Sequence, residues 1–285
     1  MKKALIAVAA TAALIASPAL ARDTSGYAPI HGMQMYYEIH GAGEPLVLLH
    51  GAYSSIPDSF GALIPTLAEQ HEVIAVELQG HGRTSDIDRP ITYEGLADDV
   101  SALLDYLKVP QADLYGYSLG AGVALQVAIR HPGQVRKLVL GSVSYNSAGM
   151  YPEVSAGVRE MKPEMFDNTP WKKDYDRLAP NKADFPKLVK QLSALDSTPY
   201  SWPAGELKAI KAPVLLILGD SDIIKPEHAV EMFRLFGGGV PGDLAGVPNS
   251  ELAILPGATH VTEMKQTDLL KIIVPAFLDR PIAKP

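Results

Sequence analysis

The 285-residue sequence predicts a doubly wound, mostly parallel α/β sheet with a helical insertion. Three observations carry this. Short continuous apolar runs recur along the chain, the pattern of central strands buried on both faces. Segments of helical periodicity alternate with them, as crossover connections require. The alternation breaks once, between Val143 and Lys211, where Pro, Met, Tyr and Trp accumulate and no strand-like run occurs.

The chain opens on a processing signal. Lys2 and Lys3 precede an apolar run from Ala4 to Ala16, and Ala19-Leu20-Ala21 has the A-x-A form of a cleavage site. Residues 1–21 are therefore expected to be removed, with the mature protein starting at Arg22. The apolar run is shorter than the ~20 residues that a bilayer-spanning helix needs. Loss of two lysines takes the formal charge from -7 to about -9. The expected destination is the periplasm or the medium, with no membrane anchor expected after cleavage. The chain has no cysteine, so disulfides, thiol catalysis, thiolate metal sites and a lipid anchor on an N-terminal cysteine are excluded. A composition 47% hydrophobic and 20% charged is that of an ordinary globular protein. The acidic balance gives nucleic-acid binding no support, since no basic run exceeds pairs such as Lys172-Lys173.

A polar lead ends near Tyr27, and Met33–Ile39 alternates as a strand before the turn at Gly41-Ala42-Gly43. Strand runs follow at Leu46–Leu49, Val73–Val76, Val109–Tyr115, Leu138–Leu140, Val214–Leu218 and Leu252–Leu255. Helices are expected over Ser59–Gln70, Thr92–Lys108, Leu119–His131, Pro226–Phe236 and Glu263–Leu278. Pro132 stops the third of these. Residues 22–143 and 212–285 form the expected core. Residues 144–211 form a helical insertion over one sheet end, with a helical pattern at Phe185–Leu195. A structureless loop of that length would be unusual.

Four features fall at strand ends, where ligands bind in open α/β sheets: His50-Gly51-Ala52, Gly116-Tyr117-Ser118-Leu119-Gly120, Gly219-Asp220-Ser221-Asp222 and Gly257-Ala258-Thr259-His260. A serine hydroxyl is a poor nucleophile until a base reaches it, and that base needs an orienting partner. Ser118, His260 and an acid on the third feature could supply the three parts; Asp222 and Asp220 both qualify. The N–H groups of Ala52 and Leu119 could receive a developing oxyanion.

These residues resemble the α/β-hydrolase superfamily. The G-x-S-x-G elbow at Gly116–Gly120 is followed by acid and histidine in the superfamily's chain order. His50-Gly51 is similar to its oxyanion-loop motif, and Gly80-His81-Gly82-Arg83-Thr84-Ser85 to a turn of its single-domain esterase, haloperoxidase and lactonase branches. The insertion resembles its cap. The resemblance implies Ser118 as nucleophile, Asp222 rather than Asp220 as acid, His260 as base, and Ala52 and Leu119 as oxyanion donors. The eight histidines show no metal spacing such as H-x-x-x-H and the catalytic set needs no metal, so neither a metal nor a cofactor is expected. A serine at the nucleophile position departs from the dehalogenase and epoxide hydrolase branches, and HGAYSS departs from the HGGG loop of the hormone-sensitive-lipase type. His50 is expected to pack under the oxyanion loop, and His81 and Arg83 to brace its conformation. Tyr53, Tyr117, Trp171 and Trp202 are candidate pocket residues. Burial competes with that role for Tyr117, and packing of cap on core competes for Trp171 and Trp202, as for Tyr175 and Tyr200. Met150, Met161 and Met165 point to an apolar acyl or alcohol group. The implied substrate is a small carboxylic ester or lactone. Carbon–carbon bond hydrolysis and cofactor-free perhydrolysis are the alternatives on the same residues, and a non-catalytic ligand-binding relative is the alternative outside enzymes.

Overall fold

The computed structural model describes residues 23–282; the expected signal segment lies outside them. In chain order the elements are β1 (Thr24–Ile30), β2 (Met33–Gly41), β3 (Glu44–Leu49), α1 (Ile56–Phe60), α2 (Ile64–Leu67), β4 (His71–Val76), α3 (Tyr93–Leu107), β5 (Ala112–Tyr117), α4 (Leu119–Arg130) and β6 (Val135–Gly141). After these come α5 (Pro152–Arg159), α6 (Pro170–Leu178), α7 (Phe185–Ser197), α8 (Ala204–Ala209), β7 (Val214–Ser221), α9 (Pro226–Leu235), α10 (Gly242–Ala245), β8 (Ser250–Thr259) and α11 (Thr267–Leu278). Eight strands form one sheet in the order β1-β2-β4-β3-β5-β6-β7-β8. The β1–β2 and β2–β4 pairs are antiparallel; every later pair is parallel.

The apolar runs divide between the two faces by the two-residue strand period. Val47, Leu49, Ile74 and Val76 join the core under α3 and α4. Leu46, Leu48, Val73 and Ala75 join the opposite core with Phe60 of α1, Leu67 of α2 and Leu270 and Val274 of α11. Two apolar faces on one strand leave no alternation to see, so each run is continuous. Helix α3 starts where the Thr92 hydroxyl accepts the Gly95 N–H at 3.0 Å, and ends at Lys108 in the left-handed conformation.

Four expectations are corrected. The polar lead is part of an edge strand, β1, which buries only Ala28 and Ile30 and keeps Pro29 where a missing N–H costs little. The helix expected over Ser59–Gln70 is two short helices. Gly61 closes the first through its N–H to Pro57 O at 3.2 Å, and Pro65 can only stand in the first turn of the second. The strand expected at Val109–Tyr115 runs from Ala112 to Tyr117, because the Val109 N–H closes α3 on Leu104 O and Pro110 has no N–H to give. The helix expected from Glu263 begins with a single 3-10 turn, Glu263–Lys265, and α11 starts at Thr267 after a non-helical Gln266.

Between β6 and β7 the chain is helical, as α5 to α8. Two isolated bridges, Asn146↔Ser201 and Met150↔Ile224, hold the segment to itself and to the loop after β7. Its Phe185, Leu188, Val189 and Leu192 continue the core of the α3 and α4 face.

Candidate active site

Ser118 stands between β5 and α4 with φ 53° and ψ -116°, a strained conformation for a residue with a side chain. Two absent side chains make it possible. A Cβ on Gly116 would lie 2.2 Å from Gly120 O, and one on Gly120 would lie 2.0 Å from Leu49 O. The turn is pinned by the Ser118 N–H, which donates to Gly141 O at 2.8 Å.

The Ser118 hydroxyl lies 2.8 Å from His260 Nε2, and His260 Nδ1 lies 3.0 Å from Asp222 Oδ1. A carboxylate only accepts, so Nδ1 carries the proton toward Asp222 and Nε2 is free to accept from Ser118. Tyr117 fixes the loop that carries the histidine, its hydroxyl donating to His260 O at 2.6 Å. Burial alone would raise the Asp222 carboxyl. The hydrogen bond and charge of His260, the Ser142 hydroxyl and the Ile224 N–H outweigh it and hold the group below its ordinary range. Asp222 therefore stays ionised beside the imidazole. Asp220 is exposed and instead accepts the Gly257 N–H at 2.9 Å, tying β7 to β8.

Behind Asp222 lies a chain the sequence did not announce. Ser142 Oγ touches both Asp222 Oδ2 and Glu263 Oε2. One hydroxyl proton cannot serve two carboxylates. Burial pushes the fully enclosed Glu263 carboxyl well above its ordinary value, so Glu263 keeps its proton and donates to Ser142, which donates to Asp222. The available signals were position alone: Ser142 directly follows β6, and Glu263 lies three residues after His260.

His50 and His81 shape the loop after β3. Burial pushes His50 down to about 4 and His81 to about 3, so both are neutral. His50 donates to Gly51 O at 2.8 Å and accepts the Leu78 N–H at 3.1 Å. His81 donates to Gln79 O at 2.9 Å and accepts the Tyr53 N–H at 3.2 Å. Arg83 pairs with buried Glu77 at 2.8 Å. The bracing expected of these residues matches their bonds. Tyr53 is held at φ 61°, and the preceding Ala52 N–H, like that of Leu119, has no partner among the described residues.

A cavity of about 490 Å³ opens onto Ser118 and His260, with Ala52 and Leu119 in its wall. Tyr53, Tyr117 and Trp171 line it as expected. Trp202 does not: it is buried against Tyr93 (5.3 Å) and Tyr200 (5.0 Å), which themselves line the cavity. Tyr175 packs on Phe185 inside the cap segment. Met150 and Met161 reach the cavity, whereas Met165 is exposed. Tyr200, for which the sequence left pocket and packing both open, is in the wall; Tyr93 and Asp196 are wall residues that the sequence did not single out.

A profile described as the alpha/beta hydrolase family matches residues 46–268. A pimeloyl-[acyl-carrier protein] methyl ester esterase of Neisseria meningitidis is 31% identical over 261 residues, covering 84% of this chain and 94% of its own. A 2-hydroxymuconate semialdehyde hydrolase of Pseudomonas sp. (strain CF600) is 36% identical over 121 residues, and this match spans only 41% of each protein. Among solved structures, a carboxylesterase from Bacillus subtilis superposes with a TM-score of 0.71 at 21% identity, covering 92% of this chain and 93% of that one.

Proposed function

The chain belongs to the alpha/beta hydrolase family, and from that premise we propose that it is an exported serine hydrolase of carboxylic esters or lactones. The observation that carries this reading is the hydrogen-bonded series Ser118–His260–Asp222 opening into a cavity of ligand size. On this reading residues 23–143 and 212–282 are the catalytic core, and residues 144–211 the cap that bounds the substrate.

His260 Nε2 takes the Ser118 proton as Oγ attacks the ester carbonyl. The Ala52 and Leu119 N–H groups stabilise the oxyanion of the tetrahedral intermediate. The new imidazolium is held by ionised Asp222 and returns its proton to the leaving alkoxide, leaving an acyl group on Ser118. Water then attacks that acyl group, giving up its proton to His260, which passes it to Ser118 Oγ as the acyl–oxygen bond breaks and the acid departs. Ser118, His260 and Asp222 need not move far during the cycle, because their donors and acceptors are already in reach. Carbon–carbon bond hydrolysis by the same residues is the second reading, favoured by the identity to the semialdehyde hydrolase.

The deciding experiment is hydrolysis of p-nitrophenyl esters from acetate to palmitate by the protein starting at Arg22 and by Ser118→Ala. The variant should lose on the order of 10⁶ in kcat. Retention of more than a few per cent would remove Ser118 as nucleophile. No turnover, with a fluorophosphonate still labelling Ser118, would move the reading to lactones or carbon–carbon bonds; no labelling would favour a binding protein. Export is decided by sequencing the N-terminus of the protein recovered outside the cytoplasm. Arg22 is expected, and a retained Met1 would end the signal-peptide reading.

A further inference from the structure

Asp196 is a carboxylate in the cavity wall with no hydrogen bond or ion pair among the described residues. It is the penultimate residue of α7, where the helix dipole disfavours negative charge. Burial pushes its carboxyl up to about 6, with the charge of His260 pulling the other way. Both its place on the helix and its lack of a partner destabilise the fold, and neither brings a structural contact. A charge kept at such a cost in a cleft is the mark of a ligand-facing group.

The surroundings say which ligand. The Asp196 charge is felt at Tyr53, Tyr93 and Tyr200, all in the same wall. Tyr53 packs on Phe166 at 4.6 Å, Phe166 on Trp171 at 6.4 Å, and Tyr93 on Tyr200 at 5.6 Å, so with Tyr117 six aromatic side chains share the cavity with Asp196; the other carboxylate of the wall, Asp58, is exposed and already accepts the Ser54 hydroxyl at 2.7 Å. Apart from His260, the basic side chain among the lining residues is Lys265, which is exposed. Aromatic faces attract cations and a carboxylate completes the attraction, whereas an anionic group would meet repulsion on every side.

We propose that the substrate of this site carries an alkylammonium group, seated against Asp196 and enclosed by the aromatic wall. The proposal rests on the hydrolase reading above and names its substrate class. The ester bond stays at Ser118, and the cation occupies the part of the cavity under α7.

The test is a pair of esters of equal shape, 2-(trimethylammonio)ethyl butyrate and its uncharged carbon analogue 3,3-dimethylbutyl butyrate, at pH 8, where the Asp196 carboxyl is ionised. The wild-type protein should favour the cationic ester in kcat/KM by roughly tenfold, the size of one such contact. Asp196→Asn should bring the ratio close to one, with a melting temperature no lower than that of the wild type. A wild-type ratio at or below one overturns the proposal, as does a preference that survives Asp196→Asn. Should neither ester be turned over, calorimetry with tetramethylammonium decides. Binding that Asp196→Asn abolishes upholds the cation site and places the failure on the ester reading; absence of binding overturns the cation site.

Discussion

Asp220 and Asp222 end the same strand two residues apart, and their environments divide the work between them. Asp222 is buried, receives His260 Nδ1–H, and is held ionised by that contact and its neighbours. Asp220 is exposed and closes a turn by accepting the Gly257 N–H. Asp222→Asn should therefore leave the melting curve close to wild type and lower kcat by roughly 10⁴, because the amide favours the wrong histidine tautomer. Asp220→Asn should act on the turn and hardly on kcat; the reverse ranking in ester turnover would mean that Asp220 is the acid. Ser118, His260 and Asp222 were legible because each follows an apolar run by a residue or a few, and the strand ends converge in space. Ser142 and Glu263 were not. A serine after a strand and a glutamate after a histidine are common, and only burial turns them into a proton-sharing pair behind the acid. Trp202 was misplaced for the opposite reason: composition put an aromatic in the cap, but which side it faces depends on Tyr93, which is distant in sequence.

At the scale of elements, legibility followed burial. Strands β3, β4, β6 and β7 carry apolar side chains on both faces and announced themselves as runs. The edge strand β1 buries two residues and left no such mark. The helical period over Ser59–Gln70 was real, since Ser59, Phe60, Leu63, Ile64 and Leu67 all face inward, yet a glycine and a proline cut it into two helices that keep the same apolar side. Period reports which face is buried; the break is decided by backbone groups that a glycine or proline cannot place or supply. The cap was legible only as an interruption. Its helices α5 and α6 are short, with little buried surface of their own; α5 packs on α7, and α6 is tied to the loop after β3 by the Ser55 hydroxyl on Asp174.

For the molecule as a whole, the buried carboxyl of Glu263 ties stability to pH. Its ordinary value is 4.5, and in the folded protein it is raised well above that by burial. The unfolded chain gives up this proton near pH 4.5 while the folded protein keeps it. The stabilising contribution is thus complete below pH 4.5 and declines as pH rises toward the folded value, by about 1.4 kcal/mol per pH unit. Glu263→Gln keeps a donor for Ser142 and does not titrate. Between pH 5 and pH 8 the melting temperature of the variant should gain on that of the wild type; a gap independent of pH would show that Glu263 is ionised in the folded protein. The crossover from β6 to β7 has a different consequence. Strands β6 and β7 are parallel, with Gly141 beside Ile217 and Leu138 beside Val214, so the chain leaves at the carboxyl end of β6 and rejoins at the amino end of its neighbour, as it does between β5 and β6. Seventy-two residues lie between Gly141 and Val214, against 17 between Tyr117 and Val135. Closing the longer excursion costs only about 1.3 kcal/mol more in chain entropy. The length of the segment is therefore free to vary: an excursion of other length can join the same two strands at little entropic cost, provided it brings the apolar residues that Phe185, Leu188, Val189 and Leu192 supply to the core. On the proposed reading, substrate preference can change with that excursion while Ser118, His260 and Asp222 stay untouched.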